Sequence, residues 1–333
     1  MEMPTSALTG ITLKDLFDAG LHFGHQTKRW NPKMKGYIFD KRNGIHIIDL
    51  QQSVQLLDEA AAFVRETILA GKKILFVATK KQVAEMVKEV ATGVDQFYVT
   101  ERWLGGTLTN AKTLRSSVKR MRQLQATAKA NGGQLSEHKQ ENSMLRRELT
   151  KLETNLTGVA EMAEQPGCVF IVDCVKEANA VKEAVRLHIP VVAIVDTNAD
   201  PEPIDYVIPG NDDSVRGVEL ILNGLAKVIK GANDEYGAKA AEENRKREAE
   251  RAQRAESEKA ERAQRKSKAA AAKPAGEHRP VSKKVAVAAN VKAAARAAKE
   301  AAESKAKADL AAKRKANVVA AEAAAAAAAP TAE

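Results

Sequence analysis

The chain has 333 residues, 29% of them charged and 4% aromatic, with a formal net charge of +10 and two cysteines. Cys168 and Cys174 lie in and beside one apolar run, without the partners that a disulfide scaffold or a cysteine-ligated metal fold needs. No stretch approaches the roughly 18 apolar residues of a membrane helix, and Met-Glu-Met-Pro-Thr opens no basic-then-apolar leader, so a cytoplasmic protein with no membrane partner is expected.

Division of the charge matters more than its sum. Residues 1–237 hold 30 Lys plus Arg and 30 Asp plus Glu, whereas residues 238–333 hold 23 and 13. All the net charge therefore belongs to the tail. The body is neutral but polarised. Lys28, Arg29, Lys33, Lys35, Lys41 and Arg42 stand against Asp40 alone, and residues 195–213 hold six acids and no cation. Separated basic and acidic faces suit a protein docked between an anionic polymer and another partner.

In chain order, Thr12-Leu-Lys-Asp15 reads as a capping box opening a short helix that stops at Gly20. The stretch from His22 to Phe39 then mixes cations with Phe23, Trp30, Tyr37 and Phe39, and Asn31-Pro32 forces it out of helix. Cations neutralise phosphates and flat rings stack on bases, so this mixture suits RNA. Its aromatics are expected to anchor the segment on the body while the cations face outward. Asn43-Gly44 supplies the positive φ for a hairpin into Ile45–Leu50.

From Ile45 onward, strand-like runs at 45–50, 73–78, 96–100, 168–173 and 191–196 alternate with helical patterns at 53–70, 80–91, 175–187 and 214–229. Continuous apolar strands between amphipathic helices predict a parallel sheet buried on both faces. The fold class is α/β: a flavodoxin-like doubly wound sheet of about five strands, order 2-1-3-4-5. The connection between Thr100 and Cys168 is too long for one crossover. Leu145, Leu149, Leu152, Leu156 and Val159 follow a heptad seam, as Leu114, Val118 and Met121 do upstream, and Asn131-Gly-Gly133 separates them. An inserted antiparallel coiled-coil hairpin over 111–159 is expected, with body segments 1–110 and 160–235 on either side. Beyond Tyr236 the composition collapses to Ala, Glu, Lys and Arg, predicting a flexible basic low-complexity tail over 236–333.

Doubly wound sheets commonly bind nucleotides, so a phosphate- or nucleotide-binding enzyme is the alternative reading. Neither early βα turn has a phosphate loop. Gly105-Gly106 could offer amides to a phosphate, but one glycine pair is a weak signal. A metal site is a further candidate: Asp196 at a strand end and Asp213 beside Asp212 could meet His25, a donor set that suits zinc. Against it, the Asp212-Asp213 pair could cap the next helix and Asp196 could make a turn.

Several motifs occur together: His22-Phe-Gly-His25-Gln-Thr with Trp30-Asn-Pro-Lys-Met-Lys35, Phe76-Val-Ala-Thr-Lys80, Arg102-Trp-Leu-Gly-Gly-Thr-Leu-Thr-Asn110, and Ile189-Pro-Val-Val-Ala-Ile-Val-Asp196 continuing to Ile208-Pro-Gly-Asn-Asp-Asp213. In this order, over roughly residues 10–230, they closely resemble the bacterial family of the second small-subunit ribosomal protein. The resemblance implies a non-enzymatic constituent of the small ribosomal subunit that needs no cofactor. It also implies rRNA binding between head and body, and help in seating the first small-subunit ribosomal protein. Carried onto matching positions, it makes Lys28, Arg29, Trp30, Lys33, Lys35, Lys80, Lys81, Arg102 and Asn110 candidates for RNA contact. The hairpin's cationic arm adds Arg115, Lys119, Arg120 and Arg122. Trp103, directly after a strand, is expected to be structural.

Overall fold

The computed structural model describes residues 6–271. The chain divides into two compact units, Met1–Ala252 and Gln253–Glu333. In the first unit, helix α1 (Leu13–Asp18) starts at a capping box in which Thr12 and Asp15 each bond the other's backbone amide. Strands β1 (Phe23–Gln26), β2 (Ile38–Arg42) and β3 (Ile45–Ile48) form a small antiparallel sheet in the order β1-β3-β2. Asn43 and Gly44, at φ 51° and 78°, make the predicted turn between β2 and β3. A 3₁₀ turn, Pro32–Tyr37, follows Asn31, whose side chain caps it at the Lys33 amide.

The main sheet contains β4 (Ile74–Val77), β5 (Phe97–Val99), β6 (Cys168–Val172), β7 (Val191–Val195) and β8 (Tyr206–Pro209), all parallel, in the order β5-β4-β6-β7-β8. Counted within the sheet this is 2-1-3-4-5, as expected, but with different members. Ile45–Leu50 is not its first strand. It turns back on β2 as β3, and Asp49 then caps α2 (Leu50–Leu69). The fifth strand is Tyr206–Pro209, not among the predicted runs, since it is only four residues long and ends in proline. Proline is tolerated there because β8 lies at the sheet edge.

Alternation along the strands builds two cores. Ile74, Phe76, Phe170, Val192 and Ile194 face α2, α3 (Lys81–Gly93) and the first turns of α7 (Val215–Ala271). Leu75, Val77, Val169, Ile171 and Ala193 face α4 (Ala111–Ala130), α5 (Lys139–Leu156) and α6 (Ala178–Arg186). Each large side chain so buried contributes roughly 1.5–3 kcal/mol. Helices α4 and α5 pair as the predicted hairpin. Leu114, Val118, Met121 and Leu156 are buried along its inner stripe, and Gly132 and Gly133 turn at positive φ. The change of composition after Tyr236 does not interrupt the backbone, because α7 stays helical to Ala271. Ala, Glu, Lys and Arg are strong helix formers. The remainder of the expected tail, residues 272–333, lies outside the described residues.

Candidate nucleic-acid interface

The segment between β1 and the 3₁₀ turn lies over the carboxyl ends of β7 and β8. Three contacts pin it there. The His25 amide donates to Thr197 Oγ1 at 2.8 Å, His25 Nδ1 lies 2.8 Å from Asp196 Oδ2, and the Asn31 amide donates to the Thr197 carbonyl at 2.8 Å. The approach is close enough that a Cβ on Gly24 would sit 2.6 Å from Thr197 Cγ2. Met34, wholly buried, is the segment's apolar anchor. The expected aromatic anchor is corrected: Phe23 and Phe39 are exposed, and Trp30 is half-buried against the His46 ring at 5.0 Å. Tyr37 alone of the four packs against a core, while Phe23 and Phe39 fall on strand faces left open to solvent.

The cations divide into two groups. Lys28, Arg29, Lys35 and Lys81 are exposed and, among the described residues, have no ion pair. Lys33 instead reaches Asp200 at 2.8 Å and Glu202 at 2.5 Å, so the basic and acidic runs meet inside one molecule rather than forming separate faces. On the hairpin, Arg120 pairs with Glu148 of the opposite arm at 2.9 Å. Arg122 donates to the Ala160 carbonyl at 3.0 Å and Arg115 donates to that of Ala163, which fixes both guanidinium groups along a groove at the root of α4. Lys119 and Arg102 are exposed, and Asn110 caps α4 through the Thr113 amide.

Lys80 departs most from expectation. Its ammonium does not face outward. It lies 3.0 Å from Asp173, 3.0 Å from Asp212 and 2.7 Å from Asp213, with its side chain 16% exposed. Burial opposes this charge, but Asp213, Asp212 and Asp173 together hold Lys80 well above the usual lysine range. Burial pushes Asp212 up to about 6, with Asp173 and Asp196 adding repulsion against the attraction of Lys80. The cluster fills the crevice between the ends of β4 and β6, where strand order reverses and a doubly wound sheet ordinarily takes its ligand.

The predicted metal residues do converge here. His25, Asp212 and Asp213 each offer an atom within 4.8 Å of the others. Asp196, expected as a ligand, instead stands behind Nδ1 and orients the imidazole, while Nε2 lies 3.8 Å from Asp213. The helix cap expected of the acid pair is supplied by Ser214, whose Oγ accepts from the Gly217 amide at 3.3 Å.

Three amides of the glycine-pair loop are already taken by one carboxylate. Glu183, on α6, accepts from the amides of Gly106 at 2.8 Å and of Leu108 and Thr109 at 3.1 Å, and from Trp103 Nε1 at 3.0 Å. With the switch-point crevice occupied by Lys80 and this nest by Glu183, both places that could have served a nucleotide enzyme are taken by the chain's own side chains. Trp103 is buried and structural, as expected.

His22, Phe23 and Phe39 of the predicted aromatic stretch gather with Phe17 in one exposed patch. Phe17 stacks on His22 with ring centres 4.3 Å apart, and His22 meets Phe23 at 4.0 Å. With Phe39, Ile45 and Arg42 they line a groove of about 520 Å³.

Comparison with known proteins decides the family. The family profile described as Ribosomal protein S2 matches residues 16–232. The chain belongs to the ribosomal protein S2 family. Among its relatives, the small ribosomal subunit protein uS2 of Solibacter usitatus is 50% identical over 222 residues, covering 67% of this chain and 73% of the relative. That of Treponema pallidum is 48% identical over 232 residues, 70% and 79% of the two chains. That of an Arthrobacter species is 51% identical over 219 residues, 66% and 74%. The family is a structural constituent of the small subunit of the cytoplasmic ribosome and not an enzyme. Its profile covers the pinned segment, both cores and the hairpin, and ends before the Ala/Lys-rich sequence begins. No helix among the described residues is long and apolar enough to cross a membrane.

Proposed function

We propose that this S2-family chain binds small-subunit rRNA between head and body through two cationic surfaces. One is the pinned segment with Lys28, Arg29 and Lys35. The other comprises Lys81, Arg102, Asn110 and the hairpin cations Arg115, Lys119 and Arg122. The observation that carries this reading is that Lys28, Arg29 and Lys35 are exposed, with no ion pair among the described residues, on backbone hydrogen-bonded to Thr197. Preset cations bind phosphate with little loss of freedom, positioning the protein rather than reading sequence. In this reading, residues 1–110 and 160–235 are the RNA-binding body, 111–159 a second arm, and the basic tail from 236 adds non-specific, salt-sensitive affinity. The aromatic patch at Phe17, Phe23 and Phe39 seats an apolar segment of the first small-subunit ribosomal protein, since exposed rings rimmed by polar groups mark protein contacts. Sucrose-gradient sedimentation of lysate tests the core of this: the chain should travel with small subunits and be released by high salt. A protein that stays at the top of the gradient at low salt would overturn it.

A zinc ion is a second reading for the acid cluster, favoured by His25 Nε2 facing Asp213 with Asp196 behind Nδ1. His25, Asp212 and Asp213 would hold the ion and Asp196 would fix the imidazole. The Lys80 ammonium already neutralises these acids, so the ion competes with an internal cation. Elemental analysis of purified protein should then find about one zinc per chain, lost in His25→Ala. Metal-free protein with unchanged folding sinks this reading.

A further inference from the structure

The loop from Arg102 to Asn110 has an unusual support. It joins β5 to α4, so its shape sets both the position of Arg102 and the direction in which α4 carries its cations away from the body. It is held partly by its own turns: the Thr107 amide donates to the Leu104 carbonyl at 3.0 Å, and the Asn110 amide to Gly106 at 2.8 Å. Those turns leave the amides of Gly106, Leu108 and Thr109 converging on one point, a concavity built to receive an anion. That anion comes from a different crossover. Glu183 Oε1 takes the Gly106 amide and the Trp103 indole, and Oε2 takes the Leu108 and Thr109 amides and the Thr109 hydroxyl at 3.1 Å. Five donors from one loop thus end on one carboxylate. Burial raises its pKa, but Trp103 and the three amides outweigh burial and keep it ionised.

We infer that Glu183 is a positioning residue for RNA binding: through the Trp103–Thr109 loop it sets Arg102 and the root of α4 at the spacing the rRNA backbone requires. The inference rests on the reading that this loop and α4 face RNA. It adds a residue whose own charge is of the wrong sign for that task. A carboxylate close to an RNA surface repels phosphates, so removing it should tighten binding if it acts through charge alone. A positioning role has the opposite sign.

That difference in sign is the test. The full-length chain and four variants, Arg102→Ala, Glu183→Ala, Glu183→Gln and Val181→Ala, are titrated with a small-subunit rRNA transcript over a range of salt. Val181 is buried on the same helix but faces the core, so its variant reports destabilisation of α6 alone. Arg102→Ala should weaken binding and lower the salt slope by less than one unit, because one phosphate contact goes. Glu183→Ala should weaken binding by about fivefold or more at fixed salt and lower the slope by about as much as Arg102→Ala does, because a misplaced loop loses that phosphate contact although no cation has been removed. Glu183→Gln, which keeps one acceptor oxygen and the side-chain volume, should fall between and remains informative if the alanine variant fails to fold. Val181→Ala should bind as wild type while melting earlier. If Arg102→Ala weakens binding but both Glu183 variants bind as well as or better than wild type, the positioning role is overturned and the interface stands. If Arg102→Ala changes nothing, this loop does not face RNA, and the inference falls with that part of the interface.

Discussion

The Lys80 ammonium lies 3.0 Å from an Asp173 carboxylate oxygen, joining the loop after β4 to the residue after β6 across the point where strand order reverses. In an enzyme of this architecture that crevice receives an anionic ligand. Here a lysine and its acids fill it. Lys80→Ala would leave Asp173 and Asp212, both nearly buried, without their counter-ion. Breaking a buried pair from one side costs roughly 3 kcal/mol or more. Denaturant unfolding should show that loss, whereas the salt slope of RNA binding should not change. Wild-type stability together with a lowered slope would return Lys80 to the RNA surface.

The two kinds of cation on the pinned segment should separate in the same way. Lys28→Ala and Lys35→Ala should each weaken RNA binding and lower the slope of log affinity against log salt by at most about 0.9. Lys33→Ala should do less, since its charge is already shared between Asp200 and Glu202. Equal effects from all three, read by filter binding over a salt series, would mean that the Lys33 pairs open on the RNA.

The aromatic patch gives a stability-neutral test of partner seating. Phe17 and Phe39 are 54% and 76% exposed, so Phe17→Ser and Phe39→Ser should shift unfolding by roughly 0.5 kcal/mol or less, as surface changes do. Co-purification of the first small-subunit ribosomal protein with small subunits carrying these variants should fall sharply. Retention at wild-type levels would assign the patch elsewhere.

A pH effect follows from Glu183. Burial works to raise its carboxyl, but the Trp103 indole and the loop amides hold it below the ordinary 4.5, so the folded chain binds this proton less readily than the unfolded one. Its contribution is therefore complete above 4.5 and is lost as pH falls through the folded value. Amide exchange at Gly106, Leu108 and Thr109, corrected for intrinsic rate, should show protection that is full above pH 4.5 and weakens as pH falls further below it. Protection that is flat across that range would mean the turns alone hold the loop.

Much of this was legible in the sequence because period and punctuation are local. Val191–Val195 announces a two-sided strand, the leucines of 145–156 a seam, and Asn43-Gly44 a turn. The assignment of Ile45–Leu50 failed because an apolar strand reads alike whether it joins the large sheet or folds back on its neighbour. Lys80 and Glu183 failed for another reason. Each looks like a solvated charge on a helical pattern, and the partner that changes its meaning lies some eighty to a hundred and thirty positions away. Phe23 and Phe39 were expected to anchor their segment because hydrophobicity indicates a preference for burial but not whether a second layer arrives to provide it.

Lysine reactivity measured on the free protein and on assembled small subunits tests the whole arrangement most directly. Lys28, Lys35, Lys81 and Lys119 should react readily in the free chain and become protected on assembly, while Lys80, enclosed by Asp173, Asp212 and Asp213, should be unreactive in both. Ready modification of Lys80 in the free protein, or undiminished reactivity of Lys28 and Lys35 within the subunit, would contradict it.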